Sequence, residues 1–270
     1  TLDGMANLGT SSFQTPTMQF AERELSMADS TMSFYPGGLP ANRWRLFSIP
    51  GKIDSNEVKP NNLEDGHVFY DWDPVAGSWF KPESIVIGRA YWFKHKYDEP
   101  VIFSNKDSKG YSVPLEPYEI KLRQGANMVG SPFPFPVRAE LSEGVDGPYK
   151  YGSDLKEGWA DTNVFEPWAG YAVDSPSDSG KITFYPIQDT TIAARTTNSG
   201  WRLNLDLSSN SSFDRTSAIG RCDACEENVD MNDMPLLPSL TQRVYISLDI
   251  NNDGQFDHSK DLRSTSDFNG

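Results

Sequence analysis

Histidine and cysteine are scarce in this chain, three and two respectively in 270 residues. Metal or nucleophile chemistry built on those side chains therefore has little to draw on. Positive charge is also short: 24 Lys and Arg stand against 38 Asp and Glu, for a net charge of -14. A nucleic-acid partner would need a basic face to neutralise phosphates, so none is expected. No apolar run approaches the ~18 residues of a spanning helix, so membrane insertion is not expected either. Thr1-Leu2-Asp3-Gly4 has no basic or apolar signal region and no initiator Met. The chain thus reads as a processed product or a piece of something longer. No Gly-x-Ser-x-Gly elbow, His-Glu-x-x-His or Walker loop occurs, and no spacing singles out a carboxylate pair. The expectation is a protein that is not an enzyme.

What is present points to strands. The chain holds 21 Gly and 19 Pro, and 12% of its residues are aromatic. Such a mix suits many short strands broken by turns. Tyr118, Ile120 and Leu122 alternate with charged residues, as do Ile182 and Phe184 on a shorter scale. Trp201, Leu203, Leu205 and Leu207 alternate with polar residues, and Val244, Ile246 and Leu248 with Tyr245 and Ser247. Period two is the strand period. The expected fold class is all-β: tandem β-sandwich-like domains of short antiparallel strands with an internal two-copy repeat.

The repeat is read from matched landmarks. Trp44 to Pro50 opens one unit and Ala126 to Pro132 the other. Each continues through an aromatic strand to a Trp and closes on Gly plus another aromatic strand. Trp79 and Tyr91 are 12 positions apart, as are Trp159 and Tyr171. The expected organisation is an N-terminal arm or linker over 1–40, repeat units over 41–110 and 111–190, and a β-sandwich domain with acidic loops over 191–270.

The segments Trp44 to Pro50, Gly88 to Phe93, Gly125 to Val137 and Gly170 to Val173 are followed by Gly200 to Leu205 and Gly220 to Pro238. Val244 to Leu248 and Asp261-Leu262-Arg263 complete the series. In that order they resemble the β-rich C-terminal region of large secreted bacterial surface proteins of the type IX secretion kind. The resemblance covers residues 42 to 263. It implies export and an extracellular or cell-surface setting, and brings no catalytic residues.

Three groups of residues are candidates for chemistry. Asp249, Asn251, Asp253, Gln255 and Asp257 are spaced like the oxygen ligands of an EF-hand or dockerin calcium loop, with Gly254 at the sharp turn. Lys260 stands where the last acidic ligand belongs, and a one-residue bulge would bring Asp261, which follows it, into the ligand set. The competing reading is an ordinary Asn-Asp-Gly turn. Cys222 and Cys225 lie in an acidic loop with Asp223, Glu226, Glu227, Asp230 and Asp233; a small disulfide is preferred to free thiols or zinc. The aromatic residues weigh first as core. Trp72, Trp79 and Trp159, with Trp92 and Trp168, are the residues that would otherwise stack on polysaccharide.

The function expected from these observations is extracellular structure: a subunit of a surface layer or filament, or the stalk of a surface protein. It would act through self-association or neighbouring domains of a longer chain. The alternative is a carbohydrate-binding, adhesive module of a secreted hydrolase.

Overall fold

The computed structural model describes residues 24–26, 38–51, 66–101, 112–114, 116–153, 156–187, 200–223, 225–230, 232–241 and 243–265. These residues form strands, turns and bends and no helix, so the fold is all-β. Most of the arm expected over residues 1–40 lies outside the described residues.

Six strands come first: β1 (Glu24–Ser26), β2 (Arg45–Ser48), β3 (His67–Asp73), β4 (Ser78–Phe80), β5 (Ala90–His95) and β6 (Ser112–Pro114). Seven follow: β7 (Tyr118–Lys121), β8 (Gly125–Gly130), β9 (Ala139–Leu141), β10 (Asp146–Ser153), β11 (Lys156–Asp161), β12 (Gly170–Ser175) and β13 (Lys181–Phe184). The series ends with β14 (Gly200–Ser208), β15 (Ser212–Cys222), β16 (Met234–Pro235) and β17 (His258–Ser264). β1 pairs with β6 apart from the main sheets.

Two sheets share one strand order. The first is β2-β5-β3-β4, antiparallel throughout. In the second, β8-β12-β10-β11 stand in the same order within a larger sheet. Local hydrogen bonds repeat too: the Tyr91 hydroxyl accepts from Val86 N–H at 2.8 Å and the Tyr171 hydroxyl from Glu166 N–H at 2.6 Å. Each unit also reaches into the other. Ser48 N donates to Trp168 O at 3.2 Å, and Gly130 N donates to Gly88 O at 3.0 Å. At this crossing a Cβ on Gly130 would lie 2.0 Å from that of Ser48, so only glycine lets the backbones meet.

The core follows from the pairing. Leu46, Ala90 and Trp92 of the first unit pack with Met128, Tyr149 and Trp159 of the second, and Met234 and Leu237 join them. Trp92 meets Tyr151 edge-on at 4.5 Å and Trp159 at 6.3 Å. Rings of this size each remove ~150–250 Å² from water, worth about 4–6 kcal/mol before ordering entropy. A further layer, β7-β13-β9, covers the second unit. Ile182 and Phe184 face inward there with Leu122, as their alternation requires.

β15 joins the C-terminal region to the second unit. Its residues 213–222 pair antiparallel with β14. A strand has two edges, so its other two partners share the second one: β11 runs parallel to residues 212–215 and β17 parallel to 218–222. One eight-stranded sheet therefore carries strands from both sides of residue 190. The expected strand over Val244 to Leu248 does not form; only Leu248 makes an isolated bridge, to His258. Both edges of β15 are taken, so the segment is held by side chains instead. Val244 N donates to Ser212 Oγ at 3.0 Å, and Ile246 N to the buried Asp214 Oδ2 at 2.9 Å.

Candidate functional site

β14 departs most from its sequence pattern. Alternation places Trp201, Leu203, Leu205 and Leu207 on one side, which the pattern alone would bury. Among the described residues no layer covers that side: Trp201 is 56% and Leu203 52% exposed. The opposite side carries Arg202 and Asp206, with Arg202 Nη2 3.6 Å from Asp161 and Asp206 Oδ2 3.9 Å from Arg215. Among the described residues β14 pairs with β15 alone. It is a nine-residue edge strand with an apolar side in solvent.

The three sequence candidates are placed as follows. Asp249 turns its carboxylate into its own loop: Oδ1 accepts from Asp253 N at 3.1 Å and Oδ2 from Gly254 N at 2.9 Å. Asp253 Oδ1 accepts from Gln255 N at 2.8 Å, and Asp257 Oδ1 lies 2.6 Å from His258 Nδ1. Asn251 and Gln255 are exposed in the same loop. Asp261 belongs to β17, with its carboxylate 2.5 Å from Arg263 Nε. Among the described residues no three His, Cys, Asp or Glu side chains come together as a metal cluster.

Cys222 and Cys225 are joined in a disulfide, with their Cα atoms 5.3 Å apart. The acidic loop after Cys222 is tied to its own backbone and to β17: Asp230 Oδ1 accepts from Asn232 N at 2.6 Å, and Asp233 Oδ1 from Leu262 N on β17 at 2.8 Å. Burial raises the Asp233 carboxyl above its ordinary range. Trp159, Trp92 and Trp168 are buried, so these rings have no face to offer a sugar. Trp72 and Trp79 are half-buried and pack on each other at 4.6 Å.

A further cluster was not among the sequence candidates. Lys260, on β17, is 2% exposed although it carries an ammonium group. Its Nζ contacts Asp146 Oδ2 and lies 3.1 Å from the Tyr149 hydroxyl. Asp146 opens β10, and its cross-strand partner on β12 is Asp174. Oδ1 of Asp174 is buried without a hydrogen-bond partner. Burial first, then the charge of Asp146, pushes the Asp174 carboxyl up to about 6, against Lys260 and His258. Burial likewise pulls the Lys260 ammonium below its ordinary range, although Asp146 opposes this. Two carboxyls and one amine thus share a site that disfavours charge. The one sequence signal was Lys260 itself, a lysine where the calcium-loop spacing wanted an acid.

Comparison with protein-family models, curated proteins and solved structures returns no match to this chain.

Proposed function

We propose that the chain is a non-catalytic structural module of an extracellular, cell-surface bacterial protein, and that it associates with a second copy of itself through β14. The observation that carries this reading is the edge itself: long, apolar on one side and uncovered among the described residues. Such an edge presents unpaired backbone groups and is a template for strand addition. A two-fold antiparallel pairing centred on Asn204 sets Arg202 of one copy opposite Asp206 of the other. The same register sets Trp201 opposite Leu207 and Leu203 opposite Leu205. Opposite charges and apolar pairs across a ladder each stabilise by ~0.2–1 kcal/mol, so several together favour this register. The order of secreted-tail motifs supports export, and a disulfide between Cys222 and Cys225 agrees with an oxidising compartment. Calcium enters the proposal at the loop from Asp249 to Asp257.

Sedimentation velocity with negative-stain microscopy tests this on the purified chain, with calcium and then with a chelator. Wild type should form dimers or larger assemblies. Leu203→Lys and Arg202→Glu should shift it toward monomer, and Arg202→Glu combined with Asp206→Arg should restore association. Monomers throughout, or no rescue by the charge swap, would defeat the β14 register. Loss of assembly on chelation would assign the loop a cation, whereas indifference to chelation would remove calcium from the proposal.

A further inference from the structure

The Lys260 cluster carries an inference that stands apart from the assembly reading. Three features meet there. A lysine with its side chain 3% exposed touches an aspartate that is itself 22% exposed. A second carboxyl, Asp174, lies directly across the ladder from that aspartate. Its Oδ1 is buried and lacks a hydrogen-bond partner. Lys260 carries one positive charge between two carboxyls, so an ion pair with Asp146 leaves the largely buried Asp174 only partly compensated, which is a costly arrangement. It is also the arrangement that amide formation needs: an amine and a carboxyl in contact, with a weak acid beside them to carry protons.

We propose that Lys260 Nζ and Asp146 Cγ condense into an intramolecular isopeptide bond, with Asp174 relaying the proton. The step balances without an oxidant or reductant. The ammonium proton first passes to the Asp146 carboxylate, giving a neutral amine and a carboxylic acid. The Nζ lone pair then forms the new N–C bond at Cγ, and the carbonyl π electrons move onto oxygen. Asp174 delivers its proton to the departing hydroxyl and takes one from nitrogen. The C–O bond breaks, one water leaves, the carbonyl reforms and Asp174 ends as it began. The Asp174 pKa, raised to about 6, lets it hold a proton in mildly acidic solution and give it up as pH rises. The Tyr149 hydroxyl, 3.1 Å from Nζ, holds the nitrogen in place. The bond would tie β10 to β17 across 114 positions and cross-link the second unit to the C-terminal region.

Intact-mass spectrometry of the whole chain, denatured and reduced, tests the proposal. The expected mass is one water below that of the sequence, and the peptide map should contain the Asp146 and Lys260 peptides joined. Lys260→Met and Asp146→Ala should restore the full mass, as should Asp174→Ala or a marked slowing of the water loss. Lys181→Met, an exposed lysine on β13, should keep the loss. Asp146-Gly147 could also close on itself as a cyclic imide with the same mass change. In that case the Lys260 peptide would run free, which would overturn the proposal. A wild-type chain that keeps its full mass after incubation from pH 5 to pH 8 would also overturn it, and this measurement needs no variant to fold. A folded Asp174→Ala chain that loses water at the wild-type rate would remove Asp174 from the step.

Discussion

β4 and β11 occupy the same place in two sheets of the same strand order, yet their surroundings differ. β4 has three residues and, among the described residues, an unpaired outer edge, whereas β11 has six and carries β15 along that edge. Trp79 and Trp159 correspond, one half-buried and the other fully buried. Each packs on the aromatic across its hairpin, Trp72 at 4.6 Å or Tyr151 at 4.9 Å. The residue before each Trp also differs. In the first unit it is Ser78. In the second it is Gly158, where a Cβ would sit 1.9 Å from Phe213 O at a φ of +150°. Glycine at that place, in that conformation, lets β15 lie against the second hairpin. Two sheets of the same strand order thus take different neighbours.

The largest expected effect comes from moving that residue across. Gly158→Ser should cost about 4 kcal/mol or more, seen as a fall in the urea midpoint, because β15 must part from β11 or the backbone must strain. Its reciprocal, Ser78→Gly, should cost under about 1 kcal/mol. Equal losses from the two would break the comparison.

Trp159→Ala should lose about 4 kcal/mol, whereas Trp79→Ala should lose roughly half as much, since part of its ring is already in water. Far-ultraviolet circular dichroism during denaturation measures both without relying on indole fluorescence. A larger loss at Trp79 would mean that the first hairpin is covered in solution.

The last effect is on pH dependence, and it belongs to the second unit alone. Asp174 stands where the first unit has Lys94, whose Nζ lies 5.7 Å from the Trp44 ring. The groups facing Asp174 are Asp146, Lys260 and His258. Its folded pKa is about 6 against an ordinary 3.8, so the folded state binds the proton more tightly. Its contribution to stability is full below pH 3.8 and is lost as pH rises to about 6, by roughly 2–3 kcal/mol. Burial is the main cause and acts whether or not Asp146 is an amide. Asp174→Asn should flatten that part of a thermal-stability profile, while Lys94→Met should leave it unchanged.

Period-two alternation at Tyr118-Ile120-Leu122 and Ile182-Phe184 is enough to identify strands and their inward faces, because alternation is a local property of a pleated chain. The same alternation at Trp201 to Leu207 identifies the strand but not its exposure. A pattern says which side chains share a face, not whether another layer lies over it. Val244 to Leu248 alternates just as well and forms no ladder, since both edges of β15 are occupied by other segments. The cysteine pair could be read from its short spacing, which local geometry allows. The meeting of Lys260 with Asp146 could not, because it depends on β17 aligning beside β15 beyond the end of β11.

The amino-acid sequence by itself determined the strand-forming character of the chain, the acidic surface and the placing of glycine where backbones cross. These depend on neighbouring residues and on composition. Tertiary structure alone decided which strand became an uncovered edge, which tryptophans left water and which lysine came to lie against two carboxyls. Each of those results depends on the pairing of distant segments, and on the limit that a strand has only two edges to offer.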